Sequence, residues 1–284
     1  MRYSLIMATK GRTSEVSDFL LSLTKQTYKD FEVIIVDQNE DNRLLPIIRR
    51  YRKDIEIKYV RSSPGLSKAR NVGLKAVTGD IIAFPDDDCT YPANLLEEVL
   101  ELFKKYNDLS GITGRSINQN FETNNGRFSN KQSVINKFSV WNKGISYTIF
   151  LKREVIEKIG YFDERLGVGA GTPWGSGEET DYLIRAISYH FKIMYFPFIT
   201  VFHPSPLNPY SKEMLVKTYN YACGMGFVLR KHKYPFWFFS YLCLRPIFGM
   251  LRSLFLLDMH KFKHSLSILR GRLRGWLHYK MQKL

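Results

Sequence analysis

The chain has 284 residues, 44% of them hydrophobic and 24% charged, enough apolar material for one large α/β domain, alone or with an appendage. Its net charge is +15, but from Tyr210 onward 14 Lys/Arg face 2 acidic residues, so the first 209 residues, with 28 basic and 25 acidic groups, are close to neutral. That segregation argues against a nucleic-acid-binding cleft in the main body, and three cysteines without paired spacing argue against a disulfide framework or a cysteine zinc site. The opening MRYSLIMATKGR has too short an apolar run for a secretory signal, which predicts a chain that stays in the cytosol.

The elements follow in chain order. Tyr3 to Met7 reads as a strand, and Ser14 as the cap of a helix with Val16, Phe19, Leu20 and Leu23 on one face. Phe31 to Val36 is an apolar strand interrupted only by Glu32, suited to a sheet covered on both faces. A helix from about Leu44 to Tyr51, a strand from Ile55 to Val60, a helix from Leu66 to Val77 and a strand from Ile81 to Phe84 come next. Pro92 then opens a helix carrying Leu95, Leu96, Val99, Leu102 and Phe103. This alternation predicts a parallel sheet with right-handed crossovers and a ligand site beyond the carboxyl ends of the strands. Arg115 to Lys143, polar and Asn-rich, reads as a long loop region. A strand from Ile145 to Leu151 and a helix from Arg153 to Ile159 follow it. Gly167 to Gly177 reads as a Gly-rich loop too flexible to be core, leading into a helix from Glu178 to His190; Ile193–Phe196 and Ile199–Phe202 read as two short strands.

The tail differs in kind. YPFWFFSYLCLRPIFGMLRSLFLL, Tyr234 to Leu257, is nearly long enough to span a bilayer, for which ~20 apolar residues are needed. It contains Arg245, Pro246 and Arg252, and each arginine would cost ~2.5–3.5 kcal/mol at the bilayer centre. A helix lying in the interface with its arginines snorkelling to headgroups fits better than a spanning one. HKFKHSLSILRGRLRGWLHYK, which follows, interleaves cations with Leu and Trp276, as expected for anionic lipid. The alternative is a helical hairpin packed on the sheet domain.

Two acidic signals fall at the carboxyl edge of the predicted sheet. Asp37 ends the second strand, and FPDDDCT places Asp86, Asp87 and Asp88 after the fourth. Three adjacent carboxylates repel one another unless a cation or a helix end compensates. In an extended segment Asp86 and Asp88 point the same way while Asp87 faces elsewhere, so the pair can hold a Mg²⁺ or Mn²⁺ ion against substrate phosphates. Alternatively, Asp88 or Thr90 caps the helix opened by Pro92.

Five stretches in order carry a resemblance: SLIMATKGR, FEVIIVDQN, GLSKARNVGLKAVTGDIIAFPDDD, GYFDERLGVG with GSGEETDYLIRA, and VFHP. Over nearly all of residues 1–233 the chain resembles a family 2 glycosyltransferase of the GT-A fold, of the kind that builds bacterial envelope and exopolysaccharides. The resemblance implies an α/β, Rossmann-like, mostly parallel sheet with flanking helices over residues 1–209. Residues 1–114 would be the nucleotide-sugar half and 115–209 the acceptor half. Residues 210–284 would be an amphipathic helical tail that associates with a membrane.

The resemblance also implies roles. Ala8, Thr9 and Lys10 match the loop that touches the nucleoside, and Asp37, with Asn39 beside it, matches the acid that hydrogen-bonds the base. A carboxylate suits the ring N–H of uracil or guanine. Gly65, Ser67, Arg70 and Asn71 match a donor-pocket motif in which Arg70 neutralises phosphate or orients an aspartate. Asp86 and Asp88 match the sugar-contacting and metal-binding members of the metal motif, with Asp87 between them counted as substrate-binding, and His203 matches a histidine that completes the metal shell or touches the diphosphate. The general base that inversion requires matches Glu179, where related enzymes more often carry aspartate; Asp181 and Glu178 are the alternatives. Asp181 could instead pair with Arg185 one helical turn on, and Trp174 either stacks on an acceptor sugar or pins its loop to the core.

The expected activity is therefore Mn²⁺- or Mg²⁺-assisted, inverting transfer of a sugar from a UDP-, GDP- or dTDP-linked donor to a glycan or lipid-linked hydroxyl. The expected place is the cytoplasmic face of the inner or plasma membrane, with no nucleic-acid partner. Two other readings stand beside it: a sugar-phosphate nucleotidyltransferase, for which the Ala8–Arg12 loop is a poor phosphate cradle, and a non-enzymatic basic membrane-surface or nucleic-acid-binding protein.

Overall fold

The computed structural model describes residues 1–205 and 210–278. The chain divides into two units that interleave along the sequence: Met1–Phe162 with Tyr182–Ser205, and Asp163–Asp181 with Pro206–Leu284. Residues 163–181 thus pack with the tail, although in sequence they lie within the expected acceptor half.

In the first unit, β1 (Tyr3–Thr9), α1 (Ser14–Thr24), β2 (Phe31–Asp37), α2 (Leu45–Tyr51), β3 (Glu56–Arg61), α3 (Leu66–Leu74), β4 (Ile81–Ala83) and α4 (Leu95–Lys105) alternate as the periodicity predicts. β5 (Gly111–Ile117), β6 (Ser133–Val134), β7 (Ile149–Lys152), α5 (Arg153–Ile159), α6 (Glu178–Ser188) and β8 (Ile193–Phe202) follow, and α6 begins in the second unit. The eight strands form one sheet in the order β3-β2-β1-β4-β7-β5-β8-β6. β3, β2, β1 and β4 are parallel, and β7 is antiparallel to both of its neighbours. Every residue of β1 and β2 is buried, which is why these strands read as continuous apolar runs. Glu32 in β2 is tolerated there because it accepts from Ser4 Oγ at 2.6 Å and the Thr78 N–H at 2.7 Å, and pairs with Lys58 Nζ at 2.5 Å.

Several local expectations change: the strand expected from Ile145 begins at Ile149 after a 3-10 turn at Ser146–Thr148, and α4 starts at Leu95 with Asn94, not Asp88 or Thr90, at its N-cap. Thr13, not Ser14, is the N-cap of α1, and its side chain makes no capping hydrogen bond. The region expected as loop from Arg115 to Lys143 contains the end of β5, the short β6 and a 3-10 turn at Val140–Asn142. β5 escaped notice because Gly111 and Gly114 interrupt its apolar pattern, and Gly114 is needed: a Cβ there would lie 2.1 Å from the Ile199 carbonyl oxygen. The two strands expected at 193–196 and 199–202 are one strand, β8. Its pairing with β5 shifts register between Thr113 and Arg115, which absorbs Pro197.

In the second unit, α7 (Lys212–Lys231) and α8 (Phe236–Phe255) both pack on α9 (Met259–Leu277). Ser211 caps α7 by accepting from the Met214 N–H, and Asp258 caps α9 by accepting from the Lys261 N–H. Pro246 lies inside α8 and lacks the N–H that would reach the Leu242 carbonyl. Arg272 of α9, otherwise buried, donates to that carbonyl at 2.5 Å. No helix among the described residues is long and apolar enough to cross a membrane. The last six residues of the expected tail, 279–284, lie outside the described residues.

α7 and α9 meet backbone to backbone. A Cβ at Gly275 would stand 2.0 Å from the Cys223 carbonyl oxygen, inside any tolerable contact. Gly275→Ala is therefore expected to destabilise the helical unit by ~1–3 kcal/mol or more. Limited proteolysis should show earlier cleavage in α7–α9, and unchanged protection would contradict this packing.

Candidate active site

β1 lies between β2 and β4, at the point where strand order reverses, and the carboxyl ends of these strands gather most of the sequence-predicted positions. Ala8 and Thr9 end β1, and Asp37 ends β2 beside Thr9 in the register. The two following loops are stitched together: Gln38 N–H donates to the Thr9 carbonyl at 3.0 Å and Gly11 N–H to Asn39 Oδ1 at 2.7 Å. Asp37 is fully buried; Oδ1 accepts from the Asn39 backbone and side-chain amides at 2.8 and 2.7 Å, and Oδ2 from the Tyr59 hydroxyl at 2.8 Å. Lys10 is exposed. Gly65, at φ 131°, donates its N–H to Gln38 Oε1 at 2.8 Å and starts α3, where Ser67, Arg70 and Asn71 are buried. Asn71 exchanges two hydrogen bonds with the Phe162 backbone, so its amide ties α3 to the Phe162 loop.

The three carboxylates sit among cations drawn from distant parts of the chain. Asp86 continues β4 through a bridge to Ala8, and Thr90 bridges Phe202 at the end of β8, which brings His203 alongside. His203 Nε2 lies 3.0 Å from Asp88 Oδ1 and 4.0 Å from Asp86 Oδ2. Arg70, with only 1% of its side chain exposed, reaches Asp86 Oδ1 at 3.2 Å, where Ser146 Oγ also donates. Its guanidinium lies 5.6 Å from the Phe162 ring centroid, so its desolvated charge rests on an aromatic face. Arg12 bridges Asp87 and Asp88, the latter at 2.8 Å. Asp87 and Asp88 lie in a turn, not in the extended segment expected from sequence, and share Arg12.

Burial pushes the carboxyls of Asp86 and Asp87 up despite these cations. Asp88 shifts the other way: burial opposes its charge, but His203, Arg12 and a backbone hydrogen bond together outweigh burial. The imidazole of His203 is lowered by burial, but Asp88, the Pro204 carbonyl and Asp86 together raise it above its ordinary value.

Donor atoms of Asp86, Asp88 and His203 lie within 4.8 Å of one another, a two-carboxylate, one-imidazole set that suits Mn²⁺ or Mg²⁺. His203 is already oriented for such a role: its Nδ1 lies 2.8 Å from the Pro204 carbonyl, leaving Nε2 toward the carboxylates, and Tyr147 stacks on the ring at 4.7 Å. Asp88 and His203 also wall a cavity of about 700 Å³ with Glu15, Asp18, Asn118 and Phe121.

The remaining candidates belong to the second unit. Glu178, Glu179 and Asp181 occupy the first turn of α6. Glu178 and Asp181 are buried and Glu179 is half-buried. Asp181 Oδ1 accepts from Lys231 Nζ at 2.6 Å and lies 2.7 Å from His232 Nε2. Arg185, its expected partner, donates to the carbonyls of Ile159 and Tyr161. Trp174 stacks on Phe227 of α7 at 5.1 Å, the pinning contact weighed above.

Comparison with known proteins agrees with this geometry. Residues 4–160, more than half of the chain, match the profile described as "Glycosyl transferase family 2". The chain belongs to that family. It is thus an enzyme of the glycosyltransferase class. An uncharacterized glycosyltransferase of Haemophilus influenzae is 28% identical over 189 residues, 65% of this chain and 61% of the relative. The Escherichia coli UDP-Glc:alpha-D-GlcNAc-diphosphoundecaprenol beta-1,3-glucosyltransferase WfgD is 30% identical over 150 residues, 52% of this chain and 54% of the relative. This chain therefore spans less than two thirds of either relative's length. Among solved structures, the mannosyltransferase PcManGT from Pyrobaculum calidifontis in complex with GDP-Man and Mn²⁺ shares the fold. Its TM-score is 0.69 at 13% identity, over 96% of this chain and 86% of that one.

Several residues around the candidate positions were not singled out from sequence: Arg12, Tyr59, Ser146 and Tyr147 in the first unit, and Lys231 and His232 in the second. Tyr59 had a signal, since its alternation on β3 places it two residues before Arg61, the partner of Asp37 in the register. Lys231 and His232 had none.

Removing the buried cation leaves Asp86 short of compensation. Arg70→Met is expected to lower stability by ~3–5 kcal/mol, as when one partner of a buried ion pair is lost. The double variant Arg70→Met/Asp86→Asn should recover part of that loss in chemical denaturation. Equal stability of Arg70→Met and the parent would remove Arg70 from this role.

Proposed function

We propose that this enzyme is an inverting, metal-assisted transferase that moves a sugar from a nucleotide-diphosphate donor to a hydroxyl of a lipid-linked or glycan acceptor in cell-envelope polysaccharide synthesis. The observation that carries the reading is the Asp86–Asp88–His203 set at the carboxyl end of β4, beside the β1 and β2 loops where the fold family places a nucleotide. Supporting it, PcManGT was solved with GDP-Man and Mn²⁺, and the printed name of WfgD couples a UDP-sugar to a diphosphoundecaprenol-linked acceptor.

In this reading Thr9, Asp37 and Asn39 orient the base, and Tyr59 fixes the Asp37 carboxylate by donating to Oδ2. Arg70 holds Asp86 in place, while Asp87 and Arg12 border the donor sugar. Asp86, Asp88 and His203 would hold the ion, which supplies positive charge for the departing diphosphate. Glu179, or Glu178 beside it, takes the proton of the acceptor hydroxyl as the new bond forms on the face opposite the leaving group. Asp181 Oδ1 already meets Lys231 and His232, so a proton taken up on that oxygen would cost those two contacts.

Membrane association is part of the proposal. Trp237, Tyr241, Leu244, Phe248, Leu251 and Phe255 recur at spacings of three and four along α8 and are all exposed, Phe255 at 88%. Arg245 and Arg252 flank this stripe, and the tail is strongly basic. An apolar stripe flanked by cations suits the headgroup region of an anionic bilayer, with the catalytic domain at a cytoplasmic membrane surface.

Release of nucleoside diphosphate from UDP-, GDP- and dTDP-sugars, with Mn²⁺, Mg²⁺ or EDTA, tests the chemistry. One nucleotide class should be turned over, with loss in EDTA and at least ~100-fold loss in Asp88→Asn. Turnover unchanged by both EDTA and Asp88→Asn would exclude the metal role. Vesicle flotation tests the surface separately: binding is expected to vesicles containing anionic lipid and to fall in Trp237→Ser/Phe248→Ser. Absence of the parent protein from the floated fraction would remove the membrane from the proposal.

A further inference from the structure

The segment that carries the candidate base is built on the first tail helix. From Asp163 to Asp181 the chain has little secondary structure before α6, yet it is tied to α7 along its length. Trp174 stacks on Phe227, the Gly175 N–H donates to the Asn220 carbonyl at 3.1 Å, and Ser176 Oγ donates to the Tyr221 carbonyl at 2.9 Å. The Gly-rich stretch therefore has a fixed template and is not a free loop.

The strongest tie is electrostatic and lies at both ends of the segment. Lys231 Nζ, at the end of α7, sits between Asp163 Oδ2 at 2.8 Å and Asp181 Oδ1 at 2.6 Å. One ammonium thus joins the first and last residues of the segment. His232 Nε2 adds a second contact to Asp181 at 2.7 Å, and Arg165 closes on Asp163 with bonds at 2.9 and 2.7 Å. Burial raises the Asp163 carboxyl, but Arg165 and Lys231 outweigh it and hold it below the ordinary range. Asp181 has no exposure, so a charge-assisted bond there is screened little by water.

Asp181 donates its own backbone N–H to the Gly177 carbonyl at 2.8 Å, which closes the first turn of α6. Fixing its side chain therefore fixes the backbone that carries Glu178 and Glu179. A misplacement of a base by about 1 Å is enough to cost ~100-fold in rate.

We propose that α7 is part of the catalytic apparatus: Lys231, seconded by His232, is a positioning residue that sets the first turn of α6 through Asp181 and Asp163. This rests on the assignment of the base to Glu178 or Glu179. On this view the tail is required for turnover even where no membrane is present.

The full chain should be tested in detergent, with UDP-glucose, UDP-GlcNAc and GDP-mannose as donors and calorimetric titration of Mn²⁺·UDP and Mn²⁺·GDP. Lys231→Met is expected to lower kcat by ~100-fold while donor KM and nucleotide affinity stay within about twofold of the parent. Lys231→Arg, which keeps the charge, should recover most of kcat. His232→Gln serves the same comparison if Lys231→Met does not fold, with a smaller expected loss. An unchanged kcat in the folded variant, or parallel loss of kcat and nucleotide affinity, would overturn the positioning role. Glu178→Gln and Glu179→Gln separate the two ideas. If either glutamine variant is inactive while Lys231→Met is not, the base assignment stands and this inference falls. If both glutamine variants turn over normally, the base assignment itself has failed, and the inference with it.

Discussion

Three adjacent carboxylates at the end of a buried strand are the constraint around which the first unit is organised. Left alone they would repel, and burial would add to the penalty. Each finds a cation from a different stretch of sequence: Asp86 finds Arg70 on α3, Asp87 finds Arg12 after β1, and Asp88 finds both Arg12 and His203 after β8. The parallel order β2-β1-β4 makes this possible, because it lines up the carboxyl ends of strands that are far apart in sequence. The pairing of Thr90 with Phe202 adds the last strand. Sheet topology and site electrostatics are thus one problem with one solution.

This arrangement also spreads the compensation of the three acids over groups of the protein itself. The sequence alone suggests that metal and diphosphate must neutralise the acids. The structure shows protein cations sharing the task, and they differ in how easily they yield. Arg70 is almost fully buried and rests on the Phe162 ring, so it is fixed. Arg12 is 38% exposed and so can change partner at modest cost, whereas His203 is held by the Pro204 carbonyl and the Tyr147 ring. On the proposed reading, a bound cation would replace Arg12 at Asp88 and leave the buried Arg70 in place.

What was legible in the sequence followed from local pattern. Apolar runs and helical spacing located β1 to β4 and α1 to α4, and Asp37, Asp86 and Asp88 stood out because acids at strand ends need a reason. The strands missed or divided were those whose pattern was broken for packing: Gly114 lets β5 approach Ile199, and Pro197 sits in the irregular stretch of β8. Compensating partners were less legible than the acids. Arg12, Lys231 and His232 are ordinary basic residues in sequence, and only the tertiary fold brings them to their carboxylates. A charged residue announces its need for a partner but not the identity of that partner.

The tail shows the same limit from the other side. Its composition pointed to a surface, and α8 does carry an exposed aromatic stripe. Composition did not disclose that α7 would face inward on the Asp163–Asp181 segment, nor that α9 would be clamped to it through Gly275. The three helices divide the work by face. α7 buries Cys223, Phe227 and Val228 and ends in the Lys231–Asp181 pair, α9 braces α7 and covers the Leu242 carbonyl freed by Pro246, and α8 keeps its outer face apolar. Because α9 packs on both α7 and α8, a displacement of the exposed helix has a direct packing route to Lys231, and from there to the turn that carries Glu178 and Glu179. Should α8 lie on a membrane and Glu178 or Glu179 act as the base, as proposed, the two roles would be coupled through the packing of one helical unit.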